Sequence, residues 1–186
     1  MTPKQNHWVT LETVRLRIRP YRLEIDEENS TSLYGDARVT TWFDHGQPRT
    51  KEETLKMVHR MGLLAFNSNT YTGLFTVLTK RDEQFVGHCD IMPTKEPGEL
   101  EIGSIVRAEM QSCGLGTEIA FALQAYFLEL LAQKVIINGH VLHQVIATVH
   151  PNNIASTRLL QKIGFEQTDT IEKYGSVRNK MTRRLA

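Results

Sequence analysis

The run Gln111-Ser112-Cys113-Gly114-Leu115-Gly116 decides the reading of this chain. Upstream of it, Glu99 to Val106 reads as a strand. Downstream, Ile119, Leu123, Tyr126, Phe127 and Leu130 share one face of a helix predicted over about Thr117 to Leu131. Strand, glycine loop and helix start leave several backbone N–H groups without intrahelical acceptors. The helix dipole adds partial positive charge at the same place. Together they suit a phosphate or pyrophosphate. Side chains at positions 114 and 116 would hold such a group away from the backbone. Ordinary strand-to-helix turns also use glycine, so the loop alone leaves both readings open.

A second segment narrows the choice. His150-Pro151-Asn152-Asn153-Ile154-Ala155-Ser156 follows the apolar stretch Val145 to Val149. It continues as Thr157-Arg158-Leu159-Leu160-Gln161-Lys162-Ile163-Gly164-Phe165. A Q-x-x-G-x-G loop, then a strand and P-x-N-x-x-S…K-x-G-F, resembles the GNAT superfamily of acyl-CoA-dependent N-acyltransferases. Leu11-Glu12-Thr13-Val14-Arg15-Leu16-Arg17-Ile18-Arg19-Pro20 and Glu101-Ile102-Gly103 are similar to one branch of it, the RimJ/RimL-like group. That branch includes N-terminal acetyltransferases of ribosomal proteins. The resemblance runs from about Leu11 to the C-terminus. It implies a single α/β (α+β) domain over residues 11–186, behind an N-terminal tail of residues 1–10. Its centre would be a mixed, mostly antiparallel sheet flanked by helices.

Composition agrees with one globular domain. The chain has 186 residues, 40% hydrophobic and 23% charged, enough for a substantial core. A net charge of +1 gives no global field for nucleic acid or an anionic membrane. No uninterrupted apolar run suggests a membrane span, and Met1 to Thr10 lacks a signal-peptide apolar region. Two cysteines, Cys89 and Cys113, are too few for a disulfide scaffold and fit a reducing cytoplasm. They show no metal-site spacing, either with each other or with the histidines.

Along the chain, Val14, Leu16 and Ile18 alternate with Arg15, Arg17 and Arg19, the pattern of a half-buried strand with a solvated arginine face. Asp26 to Leu33 reads as a short helix. Thr50-Lys51-Glu52-Glu53 is a capping box opening a helix with Leu55, Val58 and Met61 inward. Tyr71 to Thr79 and Gln84 to Ile91 read as a hairpin. Asn153 to Ile163 reads as the last helix, with Gly164 as its left-handed cap and Phe165 packing back. Val177 to Arg183 reads as a closing strand, giving a strand-helix-strand-helix-strand second half. Ala132 to Gln144 is longer than the connection usual in the family, and Val135-Ile136-Ile137 with Asn138-Gly139 suggests a short strand and turn.

The resemblance implies acetyl-CoA as acyl donor. Its pantetheine arm would pair with the backbone of Ile105 and Val106. Its pyrophosphate would sit on the N–H groups of Gln111, Ser112, Cys113, Gly114, Leu115, Gly116 and Thr117. Such main-chain recognition lets the side chains at Ser112, Cys113 and Leu115 vary. Asn153 would contact the CoA arm, and Ser156 would lie near the thioester sulfur as a proton donor or relay. Spacing gives Ser156 a second meaning: with Leu159, Leu160 and Ile163 it follows i, i+3, i+4, i+7 on one helix face. A serine heading an apolar stripe needs a hydrogen-bond partner. Either Asn152 or Asn153 is also the expected helix cap. Many relatives outside the branch carry a tyrosine where this chain has Leu160, so a tyrosine acid there is excluded.

Glu99 and Glu101 lie two apart on one strand and share a face. Glu101 matches the position at which the family places a proton-accepting glutamate. The plainer reading makes both carboxylates solvated or ion-paired. Trp42-Phe43-Asp44 and Tyr34 fall in the region that walls the acceptor side in the family. The implied reaction is direct acetyl transfer to a primary amine, a protein N-terminal α-amine among the candidates. It needs no metal. A non-catalytic acyl-CoA-binding module is the alternative. A nucleotide-binding P-loop is disfavoured because no Gly-Lys-Ser/Thr ends the loop. The family often dimerises, but no stretch marks an interface.

Overall fold

The computed structural model describes residues 9–68 and 72–185, with the side chains of 64–68 left aside. Most of the expected tail, residues 1–8, and the expected strand start at Tyr71 lie outside the described residues. The elements run β1 (Leu11–Glu12), β2 (Leu16–Pro20), α1 (Glu27–Tyr34), α2 (Ala37–Thr40), α3 (Lys51–Ser68), β3 (Gly73–Thr79), β4 (Phe85–Pro93) and β5 (Glu99–Val106). After a 3-10 turn at Ala108–Met110 come α4 (Leu115–Ala132), β6 (Ile136–Ile137), β7 (His140–Val141), β8 (Gln144–Val149), α5 (Ile154–Lys162), β9 (Glu166–Lys173) and β10 (Ser176–Arg184). Eight strands form one sheet in the order β1-β2-β3-β4-β5-β8-β10-β9. Every neighbouring pair in it is antiparallel except β5 and β8. This is the mixed, mostly antiparallel sheet that the resemblance implies.

Local chemistry explains the helix boundaries. Thr50 Oγ1 accepts from the Glu53 amide at 3.2 Å, and the Thr50 amide donates to Glu53 Oε2 at 2.8 Å, completing the capping box. α5 begins at Asn153, whose side chain accepts from the Ser156 amide at 3.1 Å. It ends on Gly164, φ +83°, where the Phe165 amide reaches Leu160 O and the Gly164 amide reaches Gln161 O. That is a Schellman cap, and the positive φ is the reason for glycine.

The core lies on both sheet faces. On one, Ile119, Leu123, Tyr126, Phe127 and Leu130 of α4 pack with Leu100, Ile102, Val145, Ala147 and Ile163. Full burial of each large side chain contributes on the order of 1.5–3 kcal/mol. On the other, Tyr21, Leu33, Tyr34 and Val58 pack with Leu74, Phe85 and Ile105. Leu55 lies only at the edge of this second layer, half-buried.

The structure corrects several expectations. β9 has no signature in the sequence, because Glu166–Lys173 carries almost no apolar side chain and is mostly exposed. It exists through its antiparallel pairing with β10. Val14 is 92% exposed, since β2 starts only at Leu16. Arg19 is not on a solvated face: its guanidinium pairs with buried Asp26 at 2.7 Å. Leu115 is buried in the core, so its side chain is not free to vary. Among the described residues, α4 is long and apolar enough to cross a membrane, with 18 residues and a mean hydropathy of 1.3. A helix hydrophobic along one face and packed on a sheet meets the same measure.

The long connection forms a tight hairpin. β6 pairs with β7 through Asn138 (φ +48°) and Gly139 (φ +85°), the two left-handed residues of a type I′ turn. It packs against the β4–β5 turn: the Gly98 amide donates to Ile137 O at 2.9 Å, the His143 amide to Gly98 O at 3.0 Å, and Asn138 Nδ2 to Thr94 O at 2.7 Å.

Candidate active site

β5 and β8 stay paired for only three residue pairs, Glu99–Gln144, Leu100–Val145 and Glu101–Ile146. Beyond them the two strands separate. A cleft of about 910 Å³ opens between them. One wall is Ile102 to Val106, and the other is Ala147 to His150 with Asn153 and Ser156. The cleft thus holds Glu101, Ile105, Val106, Asn153 and Ser156 from the residues singled out by sequence. Parallel strands that splay leave polar backbone edges in the middle of a sheet, and such groups demand partners.

The glycine loop is outside the cleft's lining but adjoins it. Gly116 approaches Leu159, which does line it: a Cβ at 116 would stand 3.4 Å from Leu159 Cδ1. Ser112 (φ +61°) and Gly114 (φ +82°) turn the chain sharply, and Gly114 is the N-cap of α4. Gln111 Nε2 donates to Val106 O at 2.9 Å, tying the loop to the end of β5. Cys113 is exposed, its Sγ 2.9 Å from Met110 O. Leu115, Gly116 and Thr117 form the first turn of α4, two residues earlier than the sequence pattern suggested. Among the described residues, no acceptor meets the amides of 112–117. From behind, Arg15 Nη1 donates to Cys113 O at 3.0 Å and Arg15 Nε pairs with Glu118 at 2.6 Å. These contacts pin the loop to the residue that precedes β2 and use none of its amides.

The far side of the cleft is charged and aromatic. Trp42, Phe43 and Asp44 line it, whereas Tyr34 is buried in the core beneath. Arg178 Nη1 donates to Trp42 O at 2.8 Å, and its other nitrogen to Asp44 O, so β10 holds this segment over the cleft. Asp44 also pairs with Arg49. The Trp42 and His150 rings meet in a tilted pair, centroids 4.7 Å apart, joining the two rims.

The two glutamates part company. Glu99 is buried and away from the cleft, bonded by Gln144 Nε2 and by Thr94 Oγ1 at 2.8 Å. Glu101 lines the cleft, but Lys173 Nζ lies 2.5 Å from Oε1 and Thr148 Oγ1 donates to the same oxygen at 2.9 Å. Burial works against the Lys173 charge, and its hydrogen bond with Glu101 more than offsets that, holding the ammonium form. The Ser156 hydroxyl has no hydrogen bond to a described residue and opens on the cleft.

One cleft residue escaped the sequence reading. Asp90 of β4 sits opposite Gly103 of β5 and lines the cleft. A Cβ at 103 would stand 2.6 Å from Asp90 Oδ1, so the glycine makes room for this carboxylate. No local pattern marks Asp90. Only the pairing of β4 with β5 reveals it.

The acetyltransferase (GNAT) domain pattern matches residues 15–166. The uncharacterized N-acetyltransferase YnaD of Bacillus subtilis is 27% identical over 165 residues, which is 88% of this chain and 86% of that protein. Spermidine N-acetyltransferase of Vibrio cholerae, solved with CoA and spermine, superposes with a TM-score of 0.70 at 14% identity, covering 92% of this chain and 96% of that one. RimJ of Mycobacterium smegmatis, solved with CoA-disulfide, gives 0.68 at 17% identity over 96% of this chain and 88% of that one. A domain pattern that spans residues 15–166, most of the sequence, identifies the chain as a member of the GNAT acetyltransferase family.

Proposed function

We propose that this protein transfers an acetyl group from acetyl-CoA to a primary amine by direct attack. The observation that carries the reading is the gap between β5 and β8, adjoined at Leu159 by a loop of six unpartnered amides at the start of α4. In this reading the pantetheine arm lies in the gap against Ile105 and Val106, touching Asn153. The pyrophosphate lies on the amides of Ser112 to Thr117, where N–H groups and helix dipole favour an anion, whereas the expected Gln111 amide is already given to Ala108 O at 3.3 Å. The amine attacks the thioester carbonyl carbon, and the oxyanion that forms is met by backbone N–H at the splayed strand, a kind of donor worth roughly 3–4 kcal/mol. Sulfur then leaves as a thiolate. With a thiol pKa of about 8.5 it needs little help, which the free Ser156 hydroxyl supplies as donor or relay. Glu101 lines the amine side of this cleft, held there by Lys173 and Thr148.

Holding both reactants in one cleft and stabilising the oxyanion supply rate that does not depend on Ser156. Ser156→Ala is therefore expected to lower kcat by about tenfold and to leave the Kd for acetyl-CoA within about twofold. Steady-state kinetics beside calorimetric titration would check it, and equal losses in both would reduce Ser156 to a binding or structural residue.

The acceptor is a primary amine of either class represented among the similar folds. One of those proteins is named for ribosomal-protein-alanine acetylation and another for spermidine. An α-amine, with pKa about 7.7–8.0, is partly neutral near pH 7, whereas a lysine amine at about 10.4 needs more assistance. That favours a protein N-terminus. We also read residues 11–186 as one domain, acting in the cytoplasm, with no role for nucleic acid or membrane and with dimerisation open. The rival, a module that binds acyl-CoA without turnover, has Leu160 in place of a tyrosine as its support.

Thermal melting with acetyl-CoA, CoA and ATP tests the reading first. A ligand that binds only the folded state raises the melting temperature, by about 2.7 kcal/mol of stability at a hundred times its Kd. A rise with acetyl-CoA and none with ATP is expected. No rise at saturation would overturn the assignment of the loop.

A further inference from the structure

We propose that Asp90, rather than Glu101, is the carboxylate that takes the proton from the attacking amine, with Glu101 acting as a positioning residue beside it. The proposal rests on the acetyl-transfer reading and assigns a role within it.

Three observations carry it. First, Asp90 and Glu101 share one sheet face at the root of the splay. β4 pairs Asp90 with Gly103 and Met92 with Glu101, so the two carboxylates are diagonal neighbours. Second, their oxygens are differently engaged. Glu101 Oε1 receives both the Lys173 ammonium and the Thr148 hydroxyl. The Asp90 carboxylate makes no hydrogen bond or ion pair with a described residue, although it lines the cleft. A carboxylate with free lone pairs accepts a proton more readily than one already holding two donors. Third, Gly103 keeps the space that this carboxylate occupies, because any Cβ would collide with it.

The charges around Asp90 agree. Burial first, then Glu101 of β5, push its pKa up to about 7, with Asp44 adding to the rise and Lys173 of β9 opposing it. Tyr34 of α1 and Cys89 of β4 are held protonated by burial and stay neutral beside it. Arg49 is committed to Asp44, and Arg178 to backbone carbonyls of the 42–44 segment. A base poised near the working pH is the efficient case for general catalysis.

The step balances simply. The nitrogen lone pair forms the C–N bond and the carbonyl π pair moves to oxygen. The nitrogen proton passes to Asp90. The oxyanion then reforms the carbonyl and expels CoA thiolate with the C–S electron pair, and Asp90 later returns its proton to water.

Asp90→Asn is nearly isosteric and tests this against a panel of spermidine, an alanyl peptide and a lysyl peptide. Expected is a fall in kcat of about a hundredfold or more. The Kd for acetyl-CoA is expected to stay unchanged, and the ionisation near pH 7 to vanish from the kcat/KM profile. Glu101→Gln is expected to keep that ionisation but move it to lower pH, since a neighbouring negative charge is lost and Lys173 is freed. Retained turnover and an unchanged profile in Asp90→Asn would overturn the proposal, as would loss of the ionisation only in Glu101→Gln. A wild-type protein that neither binds acetyl-CoA nor acetylates any of the amines would instead overturn the acetyl-transfer reading. A carbon-13 titration of the carboxyl signal missing from Asp90→Asn needs no acceptor. A midpoint near 7 supports the proposal, and one near the ordinary 3.8 overturns it.

Discussion

Gly114→Asp should weaken acetyl-CoA binding by roughly a hundredfold while leaving the fold intact. Position 114 has φ +82°, a conformation that aspartate tolerates better than most residues. A Cβ there meets only Arg15 Nη2, at 3.4 Å, so the cost to the fold is the left-handed backbone, roughly 1–2 kcal/mol, and not a clash. Its carboxylate would stand among the loop amides that we assign to the pyrophosphate. Two like charges about 4 Å apart repel by about 4 kcal/mol at an effective dielectric of 20. Solvent at this exposed loop and the nearby Arg15 reduce that to roughly 3 kcal/mol, about two factors of ten. Calorimetric titration would read the affinity, and a melt without ligand would show the fold unharmed. Unchanged affinity would remove the pyrophosphate from this loop.

Asp26→Ala should produce the largest loss of stability, roughly 3–5 kcal/mol. Asp26 is buried, and its carboxylate accepts from Arg19 Nη1 at 2.8 Å, Arg19 Nη2 at 2.7 Å, the Arg22 amide at 2.8 Å and Thr76 Oγ1 at 2.9 Å. Removing it strands a largely buried guanidinium without its counter-charge. For a chain of this size the melting temperature should fall by roughly 6–20 °C. Burial alone would raise the Asp26 pKa, but the Arg19, Arg22 and Thr76 donors outweigh it and hold the carboxyl below its usual 3.8. A carboxylate with a depressed folded pKa stabilises fully above the unfolded value, and loses that contribution as pH falls through the folded one. The gap between wild type and variant should therefore be widest near neutrality and close as the pH drops below about 4. Denaturant titrations across that range would measure it, and a gap independent of pH would mean that the carboxylate charge is not what stabilises the cluster.

What the sequence revealed was local. The glycine loop, the capping box at Thr50–Glu53, the cap at Asn153 and the Schellman turn at Gly164 each depend on residues within one turn of each other. So does the Asn138-Gly139 hairpin. What it withheld came from tertiary pairing. β9 has little apolar pattern of its own and is a strand because β10 lies beside it. Asp26 finds Thr76 fifty residues away. The alternation at Val14 to Ile18 runs one residue pair beyond the strand itself, because a turn follows β1 before β2 begins. At the site, Glu101 stood out through a motif, whereas the neighbouring Asp90 acquires meaning only when β4 and β5 set it over Gly103.

The hairpin β6–β7 has a consequence in mechanical terms. Its contacts with Gly98 and Thr94 fall where β5 begins and where β5 and β8 are still joined. The gap lies at the opposite end of the same two strands. The sheet thus works like a clothes-peg: a clasp at the closed end fixes the angle of the jaws. Three residue pairs form the pivot, and the hairpin decides how firmly it is held.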